Sequence, residues 1–436
     1  MRGAPGLPLP RPFDERPRHR ARGRREGALE GARPADHLRA RAAGRGHHRL
    51  RGRGRDACRG RPGGGRRHGI RPGEPRGGHR GPRRRRLRRA VERRPAWQRP
   101  GAPMTTRAMD ITYREAINQA LREEMLRDES MFLMGEDIGH FEGAFKVTKG
   151  LLEEFGEKRV VDTPITEAGF TGLCIGAAMA GLRPVVEIMT VNFALVAIDQ
   201  IVSNASKIHY MFGGQVDVPM VIRMPGGAGH QLSAQHSHSL DAMFAHVPGL
   251  KVCVPSTPED AKGLLKTAIR DDDPVIVLES EGLYGKKGPV GGEDHLIPLG
   301  QAVVRRPGRD CTIVATSRMV WVALAAAEQL AAQGVEAEVI DPRTYRPLDL
   351  DTLAGSVRRT SRAVVVDEGW PECGIAAGLA AHLYESCFDW LDAPVGRVNA
   401  ADVPMPYAKN LEQAAIPQPA DVVAAVMATL AREVPR

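Results

Sequence analysis

The chain has 436 residues, 42% of them apolar, a formal net charge of +10 and six cysteines. That length and apolar share allow two or three domains with proper cores, which excludes a wholly disordered chain or a disulfide-stapled miniprotein. The charge is uneven: residues 1–100 hold 32 Arg, no Lys and 8 acidic residues, a net of +24, so the rest of the chain carries a net of −14.

The first stretch, "RGRGRDACRGRPGGGRRHGIRPGEPRGGHRGPRRRRLRR" at its densest, has no apolar periodicity. It buries too little apolar surface to offset the entropy of ordering it, so residues 1–103 are expected to be a disordered extension. It can be read as a polyanion-binding arm. It can also be read as an organelle transit peptide, although it lacks the Ser content and amphipathicity of one. The favoured reading is that it is not made, because GC-rich upstream DNA translates to Arg, Gly, Pro and Ala without Lys, and a start waits at Met104 or Met109. No apolar run approaches the roughly 18 residues of a membrane span and there is no secretory h-region, so a soluble cytoplasmic protein is expected. Cys58, Cys174, Cys253, Cys311, Cys373 and Cys387 form no C-x-x-C pair. The last five lie in apolar or helical contexts and read as buried reduced thiols.

From Thr112 the pattern changes. "TYREAINQALREEMLRD" opens with a capping box and continues at helical spacing. "MFLMGED" and "KRVVDTP" read as short strands, "EAGFTGLCIGAAMAGL" as a closely packed helix, and "RPVVEIMT" as a strand. "FALVAIDQIVSNASKIHYMF" reads as one long apolar helix. "VPMVIRMP" and "PVIVLES" read as strands around the capped helix "TPEDAKGLLKTAIRD". The Gly/Pro-rich "YGKKGPVGGEDHLIPLG" reads as a linker, placed at 286–299. Strand "CTIVAT", helix "MVWVALAAAEQLAAQG", strands "VEAEVID" and "RAVVVDE", helix "GIAAGLAAHLYES" and a last helix at about 419–432 follow. Alternating elements with near-continuous apolar strands predict two α/β domains, 104–285 and 300–436, each on a parallel sheet covered on both faces.

Open parallel sheets bind ligands beyond the carboxyl ends of their strands. "GEDIG", "DTPITEAG", "EIMTVNF" and "RMPGGAGHQLSAQHSHS" all follow or end strands, so one crevice can collect them. Glu167 stands in a strand-to-helix turn, where it serves either as a helix-dipole partner or as an acid tuned by burial to work on a heterocycle. His236, His238 and His246 fall within eleven positions. A zinc site on His236 and His238 would need further ligands. His238 and His246 read as surface-helix residues, while spacing alone leaves His236, just after a Gly-rich turn, undecided. There is no G-x-G-x-x-G, no P-loop and no "GDG", and neither "GED" triplet continues as a magnesium-diphosphate motif.

"RVVDTPITEAGFTG", "AAMAGLRPVVEIMT", "NFALVAIDQI", "AQHSHS", "FAHVPGLKV", "PSTPEDAKGLLKTAIRDDDPV", "IDPRTYRPLD" and "DVPMPYAKNLE" resemble the beta subunits of thiamine-diphosphate-dependent 2-oxo acid dehydrogenases, above all the pyruvate branch. The resemblance spans about 104–436. It implies a transketolase-like pyrimidine-binding domain followed by a transketolase C-terminal domain, and half of an active site completed by an alpha subunit that holds magnesium and diphosphate. It matches Glu167 to the glutamate at the ring nitrogen of the aminopyrimidine, Phe193 to the aromatic on that ring's face, and Ile165 and Met189 to pocket walls. It matches His236 to the active-site histidine, which orients or protonates intermediates and assists acyl transfer to a lipoyl arm. Potassium held through backbone oxygens is implied at Ala268, Ile269, Asp271 and Asp273.

Two departures stand out. "QHSHS" replaces "QHSQS", which puts His238 beside His236, where it either tunes its neighbour or merely replaces a glutamine; the plain replacement is preferred. "RMVW" replaces "RMVH", which introduces Trp321. The implied function is oxidative decarboxylation of pyruvate in an alpha-two beta-two heterotetramer, with acyl transfer to a lipoyl acyltransferase core docked on the second domain. Acetoin or branched-chain 2-oxo acid enzymes are the nearest alternatives. Nucleic-acid binding through the Arg-rich arm is a different one, against which the acidic body argues.

Overall fold

The structure is a computed structural model and describes residues 109–431. The Arg-rich stretch, with every reading placed on it, and Cys58 lie outside the described residues.

Strand β1 (Met109–Thr112) pairs antiparallel with β8 (Lys287–Val290), so the Gly/Pro stretch expected as a plain linker contains a strand that returns to the start of the fold. Helix α1 (Tyr113–Arg127) begins with the expected capping box: Glu115 N–H donates to Thr112 Oγ1, and Thr112 N–H donates to the Glu115 carboxylate. Helix α1 packs on α6 (Pro258–Ile269), which Thr257 and Asp260 cap in the same way. Buried Lys262 and Lys266 both reach Glu123 across this contact, and Arg270 grips Glu124.

The first sheet has seven strands in the order β12 (Thr344–Arg346), β6 (Lys251–Cys253), β7 (Val275–Ser280), β5 (Val221–Gly226), β4 (Arg183–Glu187), β2 (Met131–Gly135), β3 (Val160–Asp162). All pair in parallel except β12, which joins β6 antiparallel from the second half of the chain. Alternate residues of one strand enter different cores. Val221, Val275 and Val277 meet the α1/α6 layer, while Ile222, Ile276 and Leu278 meet the layer that contains α3 (Glu167–Met179). Both faces are therefore covered, which is why these strands read as continuous apolar runs.

The segment expected as one long helix is broken. A 3-10 turn at Val191–Leu195, a π turn at Gln200–Ala205 and the short α4 (Ile208–Met211) replace it. Ser206 Oγ donates back to the Val202 carbonyl, and Gly249 lies so close to the Ser206 carbonyl that no Cβ would fit. A side chain and a neighbouring backbone thus enter the helical ladder, a recognised cause of such breaks.

The second sheet runs β14 (Gly396–Val398), β13 (Ala363–Val366), β10 (Cys311–Ala315), β11 (Ala337–Asp341), β9 (Val303–Arg306), parallel except for β9. Helices α7 (Met319–Ala331), α8 (Leu350–Thr360), α9 (Ile375–Cys387), α10 (Lys409–Ala415) and α11 (Pro419–Leu430) pack around it. The two sheets are joined by ions. Arg305 pairs with Asp260 and Asp341, and Arg343 Nε donates to Asp260 at 2.7 Å. Burial works against the Asp260 charge, but Arg343 and Arg305 outweigh it and hold the carboxyl below its ordinary range.

Cys174, Cys253, Cys311 and Cys387 are buried as expected, and burial pushes the Cys174 and Cys311 thiols up to about 12. Cys373 is exposed, because it belongs to the turn before α9 and not to the helix itself. Among the described residues no helix is long and apolar enough to cross a membrane.

Candidate active site

Strands β3, β2, β4 and β5 are neighbours, so the four segments singled out in the sequence do leave the sheet side by side. They are tied to one another. Asp162, ending β3, accepts from the Gly139 and His140 amides of the loop after β2 at 2.6 and 3.0 Å. Asn192, after β4, accepts from the His238 amide of the loop after β5 at 3.2 Å.

Glu167 is the first residue of α3 and 6% exposed, with Thr166 as the N-cap. A carboxylate is favoured there by the unpaired amides of the first turn. Glu136, just past β2, is buried too, and its Oε1 has no partner among the described residues. Burial, and then the charge of Glu167, raise the Glu136 pKa. Glu136 therefore keeps a proton more readily than an ordinary glutamate. The sequence places "GEDIG" among the strand-end loops but does not single out Glu136, because no local signal marks which of its two carboxyls is buried.

Phe193 and Met189 are half-buried, and Ile165 is 84% exposed. The Phe193 and His236 rings meet edge to face with centroids 5.5 Å apart. His236 ends a short 3-10 turn, Ala234–His236, in the loop that leaves β5. The structure thus brings Phe193 to His236 and Glu167 to Glu136, while Ile165 turns to the surface.

His238 lies edge-on to Trp370, with centroids 5.8 Å apart, and its buried Nδ1 has no partner among the described residues. Its pKa is lowered, first by burial and then by His236. His238 therefore stays neutral more readily than an ordinary histidine. His246 is exposed beyond α5 (Asp241–Ala245). No group of three or more His, Cys, Asp or Glu with metal-binding placement occurs among the described residues.

Ala268 and Ile269 end α6, and Asp271 and Asp273 lie between α6 and β7, at the amino ends of the strands and so away from the candidate site. There Arg183 Nη1 donates to the Ile269 and Asp271 carbonyls at 3.1 and 2.9 Å. Lys251 Nζ holds the Asp271 carboxylate at 2.7 Å and that of Asp273 at 3.0 Å. Two cationic side chains already serve this loop.

Trp321 has a structural position. Its Nε1 donates to the Ser256 carbonyl at 2.8 Å, and Lys286 Nζ sits 3.7 Å from its ring centroid.

The chain matches the transketolase pyrimidine-binding domain over residues 109–287 and the transketolase C-terminal domain over 300–422. It is 53% identical over 332 residues to the mitochondrial pyruvate dehydrogenase E1 component subunit beta-2 of Oryza sativa subsp. japonica, covering 75% of this chain and 88% of the relative. It is 53% identical over 318 residues to the pyruvate dehydrogenase E1 component subunit beta of Rickettsia felis, covering 73% and 98%. Among solved structures, an inactive beta4 tetramer of a split-gene transketolase superposes with a TM-score of 0.62 at 25% identity, covering 75% of this chain and 99% of the other. The order of elements, the placement of the strand-end site and this similarity agree, and the chain belongs to the family of pyruvate dehydrogenase E1 component beta subunits.

Proposed function

We propose that this chain is the beta half of a thiamine-diphosphate-dependent pyruvate dehydrogenase, working with an alpha subunit as an alpha-two beta-two heterotetramer. The observation that carries the reading is Glu167, a buried carboxylate at the first turn of α3 beside a second buried carboxyl, Glu136. When bound, thiamine diphosphate supplies a nucleophilic carbon and an electron sink for the carbon from which CO2 departs.

Glu167 would hydrogen-bond the ring nitrogen of the aminopyrimidine, and Glu136 beside it, whose pKa is raised, would keep a proton at hand. Phe193 and Met189 would give that ring an apolar wall and keep water from it, which would strengthen the polar contacts there. His236, whose ring packs against that of Phe193, would donate a proton to the substrate oxygen and assist transfer of the acyl group to lipoamide. This chain has no magnesium-diphosphate motif, so magnesium and the diphosphate fall to the alpha subunit. A potassium ion at Ala268, Ile269, Asp271 and Asp273 would share carbonyls that Arg183 already engages.

A partner surface is at hand. Leu195, Val196, Tyr210, Met211 and Phe212 are exposed along the broken-helix segment, and Ile165 lies exposed beside Glu167. An apolar run of that kind rarely faces water in a lone protein. A lipoyl acyltransferase core is the acceptor the acyl-transfer step requires.

The test is reconstitution. Residues 104–436 are produced with and without the alpha subunit, given thiamine diphosphate and magnesium, and assayed for pyruvate-dependent reduction of an artificial electron acceptor. Activity is expected only in the pair, lowered about a hundredfold or more by Glu167→Gln or His236→Ala. A pair that binds the cofactor but ignores pyruvate, while turning over acetoin or a branched-chain 2-oxo acid, overturns the substrate assignment.

A further inference from the structure

The loop that carries His236 is held from the other half of the chain. Gly229 and Gln231 both donate their amides to Glu412 Oε1, at 2.9 and 3.0 Å, and Ala228 donates its amide to Glu368 Oε1 at 2.7 Å. Glu412, on α10, is buried. Glu368, just past β13, is in turn fixed by Arg318, whose Nη2 and Nε reach its two oxygens at 2.7 and 3.1 Å.

The loop needs such holding. Gln231 and Ser233 have φ of 57° and 67°, a left-handed region that non-glycine residues hold only where the surroundings over-determine it. Gly227 and Gly229 have φ of 90° and 118°, and a Cβ on them would lie 2.7 Å from Glu368 and 2.6 Å from Arg318. Glycine at these positions is what lets the loop press directly onto its anchors. Three amides that would otherwise be unpaired end on two carboxylates, and hydrogen bonds to ionised acceptors are the strong ones.

We propose that Glu412 and Glu368 are positioning residues for His236: through the amides of Ala228, Gly229 and Gln231 they fix the strained loop in the conformation that sets the imidazole against Phe193. Neither touches the reacting atoms. The inference rests on the reading of His236 as a catalytic group. It makes the second α/β half part of the active-site machinery, since it sets the geometry of a residue about 130 to 180 positions earlier in the chain.

The experiment uses the assembled heterotetramer with Glu412→Ala and Glu412→Gln. Glutamine keeps an oxygen able to accept from both amides; alanine does not. Amide hydrogen exchange at residues 228–231, melting temperature, and kcat and KM for pyruvate are measured for each. Alanine is expected to speed exchange at Gly229 and Gln231 and to lower kcat about tenfold to a hundredfold with KM little changed. Glutamine should restore most of both. If the alanine complex fails to assemble, Glu412→Asp, which keeps the charge but draws it back by one methylene, is read in the same way. Unchanged exchange at those amides, or an unchanged kcat despite faster exchange, overturns the proposal. A parent complex inactive on pyruvate sinks the substrate reading instead, and the exchange rates then decide the loop's dependence on Glu412 by themselves.

Discussion

Arg223 on β5 and Glu279 on β7 face each other across adjacent central strands, both buried, through Nε–Oε1 at 2.8 Å and Nη2–Oε2 at 2.6 Å. Glu187 accepts from Nη1, and the Tyr284 hydroxyl donates to Glu279 at 2.7 Å. Burial opposes the charge on Arg223, but Glu279 and its neighbours more than offset that and raise its pKa. This cluster lies directly beneath the strand ends that carry the candidate site. Removing one carboxylate leaves a buried cation half-compensated, so Glu279→Ala should cost about 3–5 kcal/mol. Urea or thermal unfolding of the assembled protein measures it; a change under about 1 kcal/mol would mean that water or Glu187 takes over.

Trp321 ties the two halves together through the Ser256 carbonyl and Lys286. Trp321→Phe keeps the ring but loses the indole donor, and should lower stability by about 1 kcal/mol. Trp321→His is expected to lose more, because a smaller ring abandons part of the packing on the first core. Equilibrium unfolding compares the two.

Glu281 gives a pH dependence with a definite sign. It is buried, and burial, followed by the charge of Glu368, raises its pKa from 4.5 to about 7, against the pull of Arg318. The folded state therefore holds this proton where the unfolded state has lost it. The stability it lends is complete below the unfolded pKa of 4.5 and is lost as pH rises through about 7. Glu281→Gln, which stays neutral, should flatten the fall in melting temperature across that window. An identical pH profile in the variant would remove Glu281 as its source.

Cys373 is exposed, whereas Cys174, Cys253, Cys311 and Cys387 are buried with raised pKa values. Thiolates are what alkylate, so iodoacetamide at neutral pH should label Cys373 well before the other four. Peptide mass mapping over time reads the order. Equal rates would mean that the buried thiols open with the fold.

The sequence by itself determined the local elements. The capping boxes at Thr112 and Thr257, the apolar runs of the central strands and the placement of Glu167 at a helix start all follow from short-range chemistry and survive in the structure. The pair of α/β sheets and the cluster of strand-end loops were legible from alternation alone. Tertiary structure decided the rest. It broke the long helix at Ser206, sent β12 into the first sheet, put β8 inside the supposed linker and exposed Cys373. It also set the anchors of the His236 loop, since Glu412 meets Gly229 across 183 positions and Glu368 meets Ala228 across 140. Contacts at such separations are chosen by how two folded halves pack, and no periodicity, cap or turn in the local sequence encodes them.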